Sequence, residues 1–116
     1  MKISKELLSV FKSDKIGNIV RNTLPFILEN NLISQNEIEK LQKDEYSKMI
    51  FDMNYPILKK VNENLPLEEN RSVNYHTRYY SDPVGNNDTR YLITSEWYER
   101  NKEDYINWLK RKVKDE

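Results

Sequence analysis

His76, Arg78 and Tyr80 occupy alternate positions of the run Val73 to Tyr80. On an extended backbone that alternation sets an imidazole, a guanidinium and a phenol on one face. An imidazole that titrates near neutrality beside a cation suits general acid–base work on a phosphodiester. Such a reaction also needs a convergent carboxylate pair or metal-ligand set, and none accompanies His76 in the sequence. A surface or strand-packing histidine is the ordinary reading, and a small nuclease using His76 is kept as a minority alternative. Asp82 and Asp88 sit where turns use Asp to bond their own backbone. Asp44, Glu45 and Asp52 suit a solvated helix face, so their spacing gives no magnesium site. The expectation is a protein that is not an enzyme, with no catalytic residue, no metal and no cofactor.

The other chemistry-bearing feature is the interleaving of cations and aromatics from Arg71 to Tyr80 and again at Arg90-Tyr91. A sheet face of that kind can stack single-stranded bases. Tyr, Val and Thr are equally what any strand prefers, with the rings covering a core. The run from Glu96 to Lys114 carries Trp97, Tyr98, Tyr105 and Trp108 and ends in Lys110, Arg111, Lys112 and Lys114. Those terminal cations complement a helix dipole. The four aromatics read as intramolecular packing or, in the functional alternative, as interface anchors for a partner or a second copy.

Composition bounds these readings. A chain of 116 residues, 33% charged and 37% hydrophobic, holds one domain with a modest core. Zero Cys excludes disulfides, thiolate nucleophiles and Cys-ligated zinc, and a single His excludes a His-rich metal site. No apolar run spans a membrane, and the N-terminus lacks a secretory apolar stretch, so a cytoplasmic protein without membrane contact is expected. The net charge of +0 divides into +3 for residues 1–21, −4 for 22–70 and +1 for 71–116. Because non-specific DNA affinity comes mainly from Lys and Arg on phosphates, this division predicts at best a small basic footprint.

The elements that position these residues can be placed by period and caps. Ser4 caps a short helix through Phe11, and Ser13 or Asp14 supplies the next cap. Ile16, Ile19, Val20, Thr23, Leu24, Ile27 and Leu28 form one apolar stripe, with Pro25 predicting a kink near Arg21 or a break at residues 22–24. Asn30-Asn31 is a stop. Ser34 and Glu37 form a capping box for a short helix that turns Ile38 and Leu41 inward. A third segment puts Tyr46, Met49, Ile50 and Met53 on one face and ends at Tyr55-Pro56. Residues 57–61 suit either a helical turn or a short strand, and 62–70 read as a loop. A β-hairpin follows, with strands at about 72–80 and 90–94 flanking Ser81 to Thr89, then a helix over about 96–113 with a second cap at Asn101. The fold class is α+β, mainly helical, with three or four N-terminal helices, in a single domain over 1–116.

In element order, residues 14–94 resemble the winged helix-turn-helix superfamily. The helix pair Asn36 to Gln42 and Asp44 to Met53 stands in for the helix-turn-helix, and the Tyr-rich hairpin for the wing. The resemblance implies a third helix in the major groove and a wing on the backbone or minor groove. It puts Lys43, Ser47 and Lys48 on the outer face of that helix, and Arg78, Asn86, Asn87 and Arg90 on or beside the wing. Lys and Arg neutralise phosphate, and Ser and Asn bond backbone oxygens or adenine edges. Asp44, Glu45 and Asp52 on the same helix oppose an anionic groove. The C-terminal run also looks like the Tyr/Trp-rich ends of small accessory domains in bacterial restriction or mobile-element proteins. The function expected is a noncatalytic binding domain in a bacterial or phage regulatory or defence system, with double-stranded DNA as one partner. The alternative is a protein-interaction or inhibitor module with an acidic face, whose partner is another protein or a homodimer mate.

Overall fold

The computed structural model describes residues 1–86 and 88–115. It has the mainly helical α+β fold: four helices, α1 (Lys5–Ser13), α2 (Ile16–Glu29), α3 (Gln35–Leu41) and α4 (Asp44–Phe51), precede the first strand. The rest of the chain forms β1 (Leu58–Lys60), a short α5 (Leu67–Arg71), β2 (Ser72–Val73), β3 (His76–Thr77), β4 (Val84–Asn86), β5 (Thr89–Ile93) and α6 (Lys102–Lys112). No helix among the described residues is long and apolar enough to cross a membrane.

Helix α2 forms the spine because its apolar stripe is continuous. Ile16, Ile19, Val20, Leu24, Ile27 and Leu28 are all buried, and each such side chain contributes on the order of 1.5–3 kcal/mol through its removal from water. The helix runs unbroken across Pro25. The carbonyl that loses its donor belongs to Arg21, on the exposed side, where water can satisfy it. Asn31 then takes a left-handed φ of 55°. The amides of Asn31 and Leu32 return to the carbonyls of Leu28 and Ile27, closing the helix as a Schellman motif.

Helix α4 is rotated from the face its apolar spacing predicts. Ser47 and Phe51 are buried, whereas Met49 is 72% exposed. The helix also ends at Phe51, with Asp52 left-handed at φ 55°, so Met53 reaches the core from outside the helix. Ser47 is tolerated inside because its hydroxyl accepts the amide hydrogen of Ile57 at 3.1 Å, just ahead of β1. Residues 58–60 are thereby a strand, the second of the two readings open for 57–61.

The main sheet is antiparallel with order β1-β5-β4, pairing Leu58 with Ile93 and Val84 with Tyr91. The second strand of the expected hairpin is present nearly as placed. The first is divided. Residues 72–77 fold back on themselves as β2 and β3, pairing Val73 with His76. Only 78–80 run beside β5: the Tyr80 amide donates to Ile93 O, the Ser95 amide donates to Arg78 O, and Tyr79 bridges Thr94. Ser81 to Pro83 then bulge out before β4 resumes the pairing. The division arises at Asn74 and Tyr75, whose φ values of 51° and 70° make a two-residue reverse turn where simple alternation expects strand. Residues 67–70, expected as loop, form α5 together with Arg71.

The C-terminal helix starts at Lys102, not near residue 96, after a 3-10 turn over Glu99–Asn101. Asn101, fully buried, makes this start. Its side-chain oxygen accepts the Tyr98 amide hydrogen at 2.7 Å, and its Nδ2 donates to Phe51 O at 2.9 Å. The extended 95–98 segment lets the Trp97 ring meet Phe51 edge-on at 6.0 Å and Tyr105 at 5.4 Å.

Candidate functional site

The face proposed for phosphate contact carries one of its two cations, Lys48, already partnered. Lys48 Nζ lies 2.9 Å from Asp52 Oδ1, and Arg100 closes on the other Asp52 oxygen at 3.6 Å. The Lys48 ammonium holds the Asp52 carboxyl below its ordinary range. Ser47 is not on the outer face at all: it is fully buried and bonded to Ile57. Lys43 is exposed at the N-cap of α4, where the positive end of the helix dipole adds to its charge but Asp44 and Glu45 follow immediately.

The hairpin cations are committed in the same way. Arg90 makes a two-pronged contact with Glu63, Nε to Oε1 at 2.9 Å and Nη2 to Oε2 at 2.7 Å. This geometry depresses the Glu63 carboxyl. Arg78 donates through Nη1 to Glu96 at 2.7 Å and stacks over Tyr55 at 5.3 Å. Its Nε is enclosed without a hydrogen-bond partner among the described residues. Arg78, Glu96, Asp52, Arg100, Tyr55 and Tyr98 line one cleft of about 100 Å³. With two guanidinium groups and two carboxylates it is charge-balanced. The Asn86 side chain and Asn87, also placed on the wing, lie outside what is described.

Of the four aromatics read as packing or interface, three are packing. Tyr105 and Trp108 are fully buried, and Trp97 leans on the core while its Nε1 donates to Thr94 O at 2.9 Å. Tyr98 alone is exposed, beneath the Arg100 guanidinium at 5.3 Å. The capping box is half formed. Ser34 Oγ accepts from the Glu37 amide at 3.0 Å, but the Glu37 carboxylate turns inward and accepts from Tyr46 OH at 2.5 Å and Trp108 Nε1 at 2.9 Å. Burial and that carboxylate together push the Tyr46 phenol above its usual range.

His76 is exposed at the start of β3, just beyond the turn at 74–75. No group of three or more His, Asp or Glu among the described residues is arranged to hold a metal ion. What surrounds His76 is an arm over residues 62–77 in which Asn70 is the sole buried residue. Asn70 organises the arm: its Oδ1 accepts from the Asn62 amide, and its Nδ2 donates to the carbonyls of Asn62, Leu65 and Pro66 at 3.0–3.3 Å. At the tip Tyr75 is fully exposed, and it lines a shallow depression with Glu68, Glu69, Ser72 and Asn74.

A second cleft, of about 380 Å³, was invisible to periodicity because its walls come from both α2 and the sheet. Asn18, Arg21, Asn22 and Pro25 face Tyr80, Asp82, Val84 and Ile93. The Arg21 guanidinium lies 4.7 Å over the Tyr80 ring. Gly17 lets the ring seat there, since a β-carbon at that position would come within 3.1 Å of the Tyr80 hydroxyl. One of only two glycines, inside the best-marked helix, was the signal available in the sequence. No family model matches the chain, and neither the curated proteins nor the solved structures contain a match.

Proposed function

We propose that the chain is a noncatalytic binding domain of winged-helix-like build whose partner is a protein with a basic surface, engaged by the arm over residues 62–77. The observation that carries this is Tyr75. A bulky side chain at φ 70° occupies a turn position that glycine fills best. Holding it there costs on the order of 1–2 kcal/mol, and the exposed ring recovers nothing within the chain. A residue so placed is explained by what it touches outside the chain, and exposed Tyr is a frequent interface anchor. Around it the arm carries Glu63, Glu68 and Glu69; Arg90 and Arg71 hold the first two, and Glu69, without an ion pair among the described residues, leaves the arm net negative, which favours a cationic partner.

Sheet order β1-β5-β4, with the α3–α4 pair ahead of it in the chain, supports the winged-helix reading. The DNA alternative draws its support from Lys43, exposed and without an ion pair among the described residues at the start of α4. Against it stand Lys48, Arg78 and Arg90, each held by a carboxylate. A cation already neutralised releases few counterions on meeting phosphate.

Two measurements separate these readings. A photo-crosslinking residue at position 75 in the producing cells should give one discrete protein adduct, and the same residue at exposed Lys12 should give none. Random-sequence duplex DNA at about 50 mM salt, where phosphate contacts are strong, should show no mobility shift. A salt-steep shift weakened by Lys43→Ala would overturn the protein reading in favour of DNA. Tyr75→Gly should abolish the adduct at a second reporter position, Asn74, while raising stability by up to about 1 kcal/mol through relief of the left-handed strain.

A further inference from the structure

Independently of the arm, we propose that the cleft between α2 and β4 binds a small molecule through an oxyanion, a carboxylate or a phosphate, held by Arg21. Four other arginines, Arg71, Arg78, Arg90 and Arg100, each have a carboxylate within 4.0 Å. Arg21 has none among the described residues, yet it is held in place against the Tyr80 ring at 4.7 Å. Stacking fixes the plane of a guanidinium and leaves its edge N–H groups directed outward, the fork that a carboxylate or phosphate accepts in two-pronged fashion. An arginine positioned but not neutralised, at the rim of a cleft, is a receptor in waiting.

The rest of the lining fits such a ligand. Asn18 and Asn22 lie three positions before and one after Arg21 on the same helix, and both line the cleft. Asn18 is already steadied by a hydrogen bond from its Nδ2 to Asp14 at 3.1 Å. Pro25, Val84 and Ile93 supply apolar walls. A volume of about 380 Å³ lies at the small end of ligand sites. Asp82, also in the lining, would repel a bare anion and would accept a hydrogen bond from an ammonium or hydroxyl group. The ligand class is therefore a small molecule that carries an oxyanion together with such a donor.

The experiment is a titration of the isotope-labelled full chain with acetate, inorganic phosphate and glycine, followed through the Arg21 Nε–H and the side-chain amides of Asn18 and Asn22. The expected result is saturable movement of these three signals with at least one probe. Arg21→Ala should weaken it about tenfold or more, the loss expected for a charge-assisted pair. Whether acetate or phosphate saturates at lower concentration assigns the oxyanion. Asp82→Asn should strengthen acetate and phosphate while weakening glycine relative to them. Arg21 is exposed, so its variants keep the fold, which the same spectra report. Absence of saturation with all three probes, or movement that persists unchanged in Arg21→Ala, would overturn the proposal.

Discussion

The interior between α3, α4 and α6 and the arm over 62–77 treat the same residue types in opposite ways. In the interior Phe51, Tyr105 and Trp108 pack with ring centroids 5.7–6.2 Å apart. Each polar atom taken in with them has a partner: Tyr105 OH meets Thr23 at 2.7 Å, Trp108 Nε1 meets Glu37, and Asn101 meets Phe51 O. In the arm one asparagine holds the backbone, and the aromatic at the tip has left-handed φ and full exposure. The interior is built for stability, since unpaired buried polar groups are expensive and here they are paired. The arm accepts local cost without intramolecular return, which is the mark of a surface shaped by an external contact.

The sharpest way to break this comparison is Glu37→Ala. It would leave Tyr46 OH and Trp108 Nε1 without their acceptor beneath α6 and open a void. We expect a loss of about 3 kcal/mol, read as a lower urea midpoint with unchanged slope, because removing one side of a buried charged hydrogen-bond set costs that order. Glu37→Gln, which keeps an oxygen acceptor, should recover part of it. A loss below about 0.5 kcal/mol for the alanine variant, the range of ordinary surface changes, would mean that the interior polar set does not anchor the fold.

Asn70→Ala makes the complementary cut. It removes four hydrogen bonds at once, but most of the freed groups lie on an exposed arm where water replaces the partner. The expected global loss is therefore smaller, about 1 kcal/mol. Its local effect should be larger: amide exchange should accelerate through residues 62–73 and stay slow in α2 and α6. Uniform acceleration across the whole chain would show that arm and interior unfold as one unit, contrary to the contrast drawn above.

The difference between the regions also explains what could be read from the sequence. Helix α2 was legible because six of its seven stripe residues point to one buried surface, and the cap at Ser4 because the residue acts locally. The face of α4 was not. Its apolar residues 46, 49 and 50 suggest one stripe, but the Ile57 amide, just ahead of β1, needs an acceptor and Ser47 provides it, which turns Met49 outward. The partnering of Arg78 and Arg90 was likewise hidden, because Glu63 is 27 residues from Arg90 and Glu96 is 18 from Arg78, whereas Lys48 and Asp52 stand one helical turn apart. Periodicity speaks about neighbours within a few turns. Long-range ion pairs, the Arg21–Tyr80 stack and the half-formed capping box are set by which elements the chain later brings alongside.

The smallest expected effect tests whether exposure alone separates the two regions. Glu99 is exposed, as the arm is, yet its Oε1 accepts the Ile16 amide hydrogen at 3.0 Å and so closes the N-terminus of the spine helix α2 from 83 residues away. That hydrogen bond, with Lys102 and Lys15 nearby, holds the Glu99 carboxyl below its ordinary value. A carboxyl depressed in the folded state contributes stability that is fully present above its unfolded pKa, about 4.3, and that disappears as pH falls through the lower folded value. Glu99→Gln keeps an acceptor oxygen but no charge. The variant should be slightly less stable than the parent at pH 7, and the two urea midpoints should converge as pH is lowered below about 4. Asp52 and Glu63 are depressed in both proteins and cancel in the comparison. Equal midpoints at every pH would place Glu99 with the arm, as a surface group without a share in the interior; convergence on acidification would show that one exposed carboxylate helps to hold the spine of the fold.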